Sequence, residues 1–288
     1  MFTGSIVALV TPFRNSLVDF EALKNLINWH IDSGTDGILV CGTTGEGSLL
    51  STNEREEVIK KSVEFSGGRV PIIVGCSTES TEKAIQLVKQ AEFLKADGVL
   101  VIVPFYVKPT QSGIIEHFRE VHENSYIPIV MYNNPGRCAV SMSVQTVVEL
   151  SKLDRIVALK DSDTNLSRAT LIKSLAPKLK LLSADDPTLA GYLAHGGDGA
   201  MSVTANIEPA LVKGLIKAWK DRDIDTMQKI NEKLAPLSDV LFIESNPIPI
   251  KYALHKKGFL ENSLIKPLTP ASEKTMLQID QVMKNLTL

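Results

Sequence analysis

Short apolar runs recur along the whole chain and predict eight strands. Most of these runs are rich in β-branched residues and do not alternate with polar residues, which is typical of strands buried on both faces. Such strands belong to parallel sheets that are covered by helices. The predicted strands span residues 6–10, 37–41, 71–75, 99–103, 127–131, 156–160, 180–183 and 200–204.

The segments between these runs carry apolar residues at helical spacing, as in residues 20–31, 54–65, 84–94 and 144–153. Ser51 stands three residues before Glu54, a pair that predicts a capping box at the start of the second of these helices. Strands that alternate with helices in this way pair in parallel through right-handed crossovers.

An Asp-Gly pair precedes or opens three of the predicted strands, at residues 36–37, 97–98 and 198–199. The repeat indicates one βα unit used several times, with each pair turning the chain from a helix into the next strand. Eight such units favour an α/β fold of the closed (β/α)8 type, a TIM barrel. The alternative is an open doubly wound sheet.

Helical sequence continues after the eighth unit, at residues 209–220, and a charged break follows at residues 221–225. Three more helical segments are predicted, at residues 227–241, 248–257 and 272–284. This tail is longer than barrel closure requires. We therefore expect a catalytic barrel domain over residues 1–224 and a C-terminal helical extension over residues 225–288.

The composition limits the class of partner. The 288 residues are 44% hydrophobic and 22% charged, with a net charge of −2 and no basic stripe. This balance favours a compact protein with a sizeable core and disfavours nucleic acid as a partner. The first apolar run is short and stops at Pro12, so we expect neither a signal peptide nor a membrane span.

Cysteine and histidine usage gives no sign of a metal site. Cys41, Cys76 and Cys138 are odd in number and lack zinc-ligand spacing, and the five histidines are dispersed along the chain. Without a CxxC or HExxH pattern, reduced thiols in a cytoplasmic protein are the simplest expectation.

One predicted strand ends on a lysine. Residues 156–161 read Ile-Val-Ala-Leu-Lys-Asp, which places Lys160 at the rim of the core. Partial desolvation there favours the neutral amine, which can attack a carbonyl to form a Schiff base. Most strand-end lysines instead extend their charge into solvent. The position of Lys160 by itself leaves both interpretations open.

Polar residues follow several other predicted strands, at the end of a barrel where active sites form. Gly-Thr-Thr-Gly-Glu at residues 42–46 could bind a small carboxylate through backbone N–H groups and two hydroxyls. Tyr132 could reach the same space and move protons, and Arg137 could hold a carboxylate through two parallel hydrogen bonds. Each feature alone is more often an ordinary loop or core-edge residue. Their combination at one end of the predicted barrel is a more specific signal of an active site than any single feature.

These motifs together resemble the dihydrodipicolinate synthase family, more fully 4-hydroxy-tetrahydrodipicolinate synthase. The resemblance rests on residues 42–46, on Tyr-Asn-Asn-Pro-Gly-Arg at 132–137, on Lys160 and on Ser-Val-Thr-Ala-Asn at 202–206. It continues through residues 246–251 and 268–270. It implies a class I aldolase-type lyase that condenses pyruvate with aspartate semialdehyde, in the pathway to diaminopimelate and lysine.

The resemblance also implies the roles of four reacting residues. Lys160 would form the Schiff base with pyruvate, and Tyr132 would donate and accept protons. Thr43 and Tyr106 would complete a proton relay with Tyr132, with Tyr106 supplied by a neighbouring subunit. A protonated imine is itself an electron sink, so this chemistry requires no metal and no organic cofactor.

Three further residues would bind the substrates. Thr44 and the backbone near Met201 would hold the pyruvate carboxylate, and Arg137 would hold the carboxylate of the semialdehyde. The resemblance implies a homotetramer built as a dimer of dimers. Its partners would be these two small molecules, without nucleic acid or membrane.

The chain departs from the common family pattern at several positions near the predicted site. Ala158 and Asp161 stand where glycine and glutamate are common, and Cys138 stands where threonine is usual. Ala184 replaces a usual glycine, and Met201 replaces isoleucine or valine. None of these removes a reacting group. We expect Ala184 and Met201 to change the affinity for pyruvate before they affect the chemistry.

The resemblance also bears on feedback control by lysine. The positions that correspond to the lysine site of inhibited family members hold Thr52, Arg55, Glu79 and Lys83. A cation at Lys83 would repel bound lysine, so the sequence predicts weak or absent inhibition.

The sequence leaves two alternative functions to be considered. N-acetylneuraminate lyase and 2-keto-3-deoxygluconate-type aldolases would share Lys160 and Tyr132 but act on sugar-derived aldehydes. Arg137 favours an aldehyde that carries a carboxylate. A binding or regulatory protein on an inactivated barrel would have lost a relay or Schiff-base residue, and Lys160, Tyr132 and Thr43 are all present.

Overall fold

The computed structural model describes residues 2–286 and contains a closed barrel of eight parallel strands. Barrel strands pair in chain order, and the last closes against the first. All barrel-strand residues except Lys180 are buried, which explains their lack of polar alternation. The predicted barrel is confirmed. The strands are β1 (Gly4–Ala8), β2 (Phe13–Arg14), β3 (Leu17–Val18), β4 (Gly37–Val40), β5 (Ile72–Gly75), β6 (Gly98–Ile102), β7 (Ile129–Asn133), β8 (Ile156–Asp161), β9 (Lys180–Ser183) and β10 (Gly199–Ser202).

Helices connect successive barrel strands and form an outer layer around them. The capping box of Ser51 and Glu54 is present at the start of α2, as predicted. The helices are α1 (Phe20–Asp32), α2 (Thr52–Ser66), α3 (Thr81–Phe93), α4 (Gln111–Glu123), α5 (Pro135–Cys138), α6 (Val144–Leu150), α7 (Ser167–Leu175), α8 (Leu189–Ala194), α9 (Pro209–Lys220), α10 (Ile224–Val240), α11 (Ile248–Lys256) and α12 (Glu273–Leu286).

The predicted bounds of three strands, β1, β7 and β10, were wrong by one or two residues. β7 starts and ends two residues later than predicted, because Pro128 precedes it and proline lacks the N–H that a strand ladder needs. Tyr132 therefore lies inside the strand instead of after it. β1 and β10 end earlier than predicted, and Thr204 belongs to a short 3-10 turn. The antiparallel hairpin of β2 and β3 was too short for the apolar pattern to reveal.

The repeated Asp-Gly pairs have a common structural role at the start of their strands. Asp36, Asp97 and Asp198 each bind both backbone groups of one residue in a neighbouring strand. The carboxylate accepts from the backbone N–H, and the aspartate N–H donates to the carbonyl. The partners are Ser5, Ile72 and Leu181, with carboxylate distances of 2.8, 2.8 and 2.9 Å. The repeat thus fixes the register of three strand pairs.

The C-terminal helices pack onto the barrel as an added layer. α10 packs against α9, and α12 packs against α10 and α11. The division into a barrel and an extension near residue 224 stays a prediction. Across residues 2–286, no helix combines the length and apolar character that a bilayer crossing requires.

Two buried histidines make folding sensitive to acid. Burial lowers the pKa of His30 to about 3 and that of His117 to about 4. Both rings therefore stay neutral in the folded protein, whereas the unfolded chain takes up protons below pH 6.5. The stability contributed by neutral burial is complete above that pH and is lost as the pH falls toward the folded values.

We expect each ring to reduce the free energy of unfolding by roughly 2 kcal/mol at about pH 5, because one pKa unit corresponds to about 1.4 kcal/mol. Urea denaturation at neutral and acidic pH measures this loss. A His30→Gln variant has one ring fewer to protonate, so its free energy of unfolding should fall less between neutral and acidic pH. Equal pH dependence in the variant and the parent protein would contradict the assignment.

Candidate active site

Lys160 and Tyr132 lie side by side at the carboxyl ends of neighbouring strands. They are direct partners in the register of β7 and β8, and both side chains are buried. The Lys160 ammonium lies 4.3 Å from the centre of the Tyr132 ring. Lys160 itself is only 6% exposed, and no carboxylate among residues 2–286 forms an ion pair with it. The lysine is therefore buried against a phenol instead of extending into solvent.

Both side chains line a cavity of about 440 Å³ at this end of the barrel. Side chains from loops after several strands and from residues 242–246 complete its walls. Ala184 and Met201, two of the positions that depart from the family pattern, are part of the wall. Six of the seven predicted site residues line this cavity: Thr43, Thr44, Tyr132, Arg137, Lys160 and Met201.

The loop after β4 has a backbone shape that depends on glycine. Cys41 and Glu46 have φ near +54°, in the left-handed region. A Cβ on Gly47 would collide with the Cys41 carbonyl, so only glycine fits this approach. The Glu46 N–H donates to the Thr43 carbonyl at 3.1 Å. The loop thus presents Thr43 and Thr44 at the cavity.

Asn246 connects two of the three predicted carboxylate-binding residues. Its side-chain amide donates to the Thr44 hydroxyl at 3.0 Å, and its backbone carbonyl accepts from the Arg137 guanidinium at 3.0 Å. Arg137 lies in the short helix α5, which Asn134 caps. The exposed guanidinium is thereby held at the mouth of the cavity.

The Tyr132 hydroxyl has a defined partner. Asn134 donates its side-chain N–H to the phenol oxygen at 2.7 Å. Because the oxygen acts as an acceptor in this bond, the phenol proton remains available for a group in the cavity.

A buried ion pair supports the loop after β4 from behind. Glu46 pairs with Lys251 of α11, and both side chains are fully buried. The Lys251 ammonium also donates to the Ser263 carbonyl at 2.7 Å, and Glu46 accepts from the Ile265 N–H at 2.7 Å. Burial lowers the pKa of Lys251 to about 8, although Glu46 opposes that shift. Residues of α11 and of the segment that follows it thus anchor the loop.

Tyr106 is not brought to the cavity within this chain. Its side chain is 89% exposed and its φ is +68°. The structure therefore places the predicted relay residue on the outer surface, next to the exposed Val107.

The cysteines offer no nucleophile. All three are free and buried, and burial raises the pKa of Cys76 and Cys138 to about 11. Their thiols stay protonated at neutral pH. Within residues 2–286, no three side chains of His, Cys, Asp or Glu are grouped so that they could hold a metal ion.

Comparison with known proteins decides the family. The sequence profile of the dihydrodipicolinate synthetase family matches residues 1–286. The chain belongs to this family. The 4-hydroxy-tetrahydrodipicolinate synthase of Bradyrhizobium diazoefficiens is 42% identical over 283 residues, which cover 98% of this chain and 96% of the relative.

Solved structures of the dihydrodipicolinate synthetase family share the whole fold. The dihydrodipicolinate synthase of Aquifex aeolicus is 43% identical, with a TM-score of 0.97 over 100% of this chain and 99% of that chain. The chloride-inhibited dihydrodipicolinate synthase of Acinetobacter baumannii, solved with pyruvate, is 39% identical. Its TM-score is 0.97 over 100% of this chain and 99% of that chain.

Proposed function

We propose that this protein is a 4-hydroxy-tetrahydrodipicolinate synthase, a lyase that condenses pyruvate with L-aspartate 4-semialdehyde. The observation that carries the proposal is the buried Lys160 ammonium, stacked on Tyr132 in a cavity rimmed by Thr44 and Arg137. Relatives of this name at about 40% identity support it over the full chain. The product would enter diaminopimelate and lysine biosynthesis.

The proposed reaction starts at Lys160. Its neutral amine attacks the keto carbon of pyruvate, and the resulting carbinolamine loses water to form an imine. Loss of a methyl proton gives an enamine, whose carbon attacks the aldehyde carbon of the semialdehyde. The amine of the semialdehyde then displaces Lys160, which closes the ring and frees the enzyme.

Proton transfer in these steps is assigned to Tyr132 and Thr43 in the cavity and to Tyr106. The Asn134 hydrogen bond leaves the Tyr132 proton free to move. Because Tyr106 is exposed and outside the cavity of its own chain, we infer that a second copy of the chain receives it. A relay residue borrowed across an interface is a physical reason for copies of the chain to assemble, and the family resemblance supports a homotetramer built from dimers. The free thiols agree with a cytoplasmic location.

Arg137 is proposed to hold the semialdehyde carboxylate, while Thr44 and the backbone near Met201 hold that of pyruvate. We expect Arg137→Ala to raise the KM for the semialdehyde by about 10²-fold, since a charge-assisted bidentate pair is lost, and to leave the KM for pyruvate within about twofold. The semialdehyde KM of Arg137→Lys should lie between those of the parent enzyme and Arg137→Ala, because lysine keeps the charge but lacks the planar guanidinium. Steady-state kinetics with each substrate varied separately measures both constants. An unchanged semialdehyde KM in Arg137→Ala would remove this residue from the site.

The alternative functions differ from the proposed one in the aldehyde that the pyruvate enamine attacks. Pyruvate consumption should be measured with aspartate semialdehyde, N-acetylmannosamine and glyceraldehyde in parallel, with Lys160→Ala as the blank. We expect turnover with the semialdehyde alone. Turnover only with a sugar-derived aldehyde would keep the Lys160 chemistry and overturn the proposed substrate.

Inhibition by lysine is predicted to be weak or absent. Arg55 and Lys83 line a separate cavity of about 460 Å³ behind the loop after β4. The Lys83 ammonium already pairs with Glu79 at 2.7 Å, so this carboxylate is not free to bind the amine of lysine. We expect initial rates to be unaffected by submillimolar lysine, and Lys83→Ala to be the variant that gains sensitivity. Half-maximal inhibition of the parent enzyme in that range would refute the prediction.

A further inference from the structure

A buried polar cluster lies behind the reacting pair, on the side of the barrel wall that faces the helices. Asn133 follows Tyr132 in β7, Asp161 follows Lys160 in β8, and the two are direct partners in the strand register. Successive side chains of a strand point to opposite faces. Tyr132 and Lys160 line the cavity, whereas Asn133 and Asp161 are buried outside it.

The Asp161 carboxylate ties three elements together. One oxygen accepts from the Asn133 side chain at 2.8 Å and from the Asp163 N–H at 3.1 Å. The other oxygen accepts from Arg168 of α7 at 2.9 Å, in a buried ion pair. β7, β8 and α7 are therefore joined at one carboxylate, a single residue away from the reacting lysine.

Asn133 is in turn held on its other side. Its side-chain carbonyl accepts from the Met142 N–H at 2.9 Å, and its backbone carbonyl accepts from the Ser162 N–H at 3.0 Å. These bonds leave Asn133 little freedom to turn. The relative height of Tyr132 and Lys160 along their strands is thus set by the pair that follows them.

Arg168 neutralises the charge of Asp161 on the helix side of the barrel wall. Because Asp161 points to the face opposite Lys160, its carboxylate does not form an ion pair with the lysine. An ion pair with Asp161 would stabilise the ammonium and oppose the loss of the proton that Schiff-base formation requires.

We propose that Asp161, held by Asn133 and Arg168, is a positioning residue for the Schiff-base step. It fixes the strand end that carries Lys160 against the strand end that carries Tyr132, and it does so from outside the cavity. This inference rests on the proposed function, since it concerns the attack of Lys160 on pyruvate.

The test measures how fast pyruvate is trapped on the enzyme as an imine reduced by borohydride. We expect Asp161→Asn to slow trapping and kcat by about 10- to 100-fold, because a displacement of about 1 Å can cost 10²-fold in rate. The KM for pyruvate should change by less than about threefold, since the cavity groups that bind its carboxylate are untouched. Folding of each variant is verified by circular dichroism and thermal unfolding.

Asn133→Ala provides a second variant, because it leaves the ion pair of Asp161 and Arg168 in place. We expect a smaller loss of about three- to tenfold in the trapping rate. Asp198→Asn is the matched control. Asp198 pairs with Lys173 and Lys180 at the opposite end of the barrel, so its loss should lower the unfolding temperature without slowing trapping.

Wild-type trapping rates in folded Asp161→Asn or Asn133→Ala would show that the cluster is only structural and would overturn the inference. Failure of the parent enzyme to trap pyruvate at all would instead refute the proposed function. The two failures are therefore distinguishable in one experiment.

Discussion

Replacing Lys160 with alanine is expected to lower kcat by about 10³-fold or more, because the nucleophile of the covalent step is removed. The side chain is buried over Tyr132, and within residues 2–286 no carboxylate pairs with it. The variant should stay folded, since it loses a buried cation and gains no unpaired group. Initial rates with pyruvate and the semialdehyde measure the effect.

A Lys160→Arg variant distinguishes the role of Lys160 as a nucleophile from its role as a positive charge. Arginine keeps a cation over the Tyr132 ring but stays protonated and cannot form the imine. We therefore expect it to be as inactive as Lys160→Ala. Residual activity near the parent level in either variant would mean that another residue forms the covalent intermediate, or that none is formed.

Glu46→Gln is expected to reduce the free energy of unfolding by about 3–5 kcal/mol, because it leaves the Lys251 ammonium buried without its counter-charge. Glu46 raises the pKa of Lys251 against the larger effect of burial. Without it, the folded protein must lose the lysine proton, whereas the unfolded chain keeps that proton up to pH 10.5. The parent protein itself loses this proton as the pH rises through about 8, so the stability difference between parent and variant should shrink as the pH rises through that value.

Urea denaturation at neutral and alkaline pH tests this account of the ion pair. The double variant Glu46→Gln with Lys251→Met should recover much of the lost stability, because no unpaired charge remains. A stability loss in Glu46→Gln that is the same at every pH would contradict the role assigned to Lys251. Because Glu46 closes the loop that carries Thr44, we also expect the KM for pyruvate to rise in the single variant.

The sequence predicted the part of the site that depends on strand order. Parallel strands of a closed barrel end at one rim, so the residues that follow them had to meet there. Lys160 and Tyr132 come from adjacent strands, and the structure places them in register. The predicted strands needed correction mainly at their ends, where Pro128 and the 3-10 turn at residues 204–206 override the apolar pattern.

The remaining features depend on contacts between distant parts of the chain. Asn246 reaches Thr44 across 202 residues, and Lys251 reaches Glu46 in the same way. Apolar periodicity shows that α11 is a helix, but it does not show which loop the helix anchors. The place of Tyr106 in the reaction requires a second chain, and no pattern in one sequence specifies that contact.

The most direct test of the central claim is to treat the enzyme with pyruvate and borohydride and to locate the modified peptide by mass spectrometry. We predict that pyruvate is reduced onto the peptide that contains Lys160, and that Lys160→Ala remains unlabelled. Labelling at another lysine, such as the buried Lys251, or an absence of labelling in the parent enzyme would contradict the assignment of Lys160 as the Schiff-base residue.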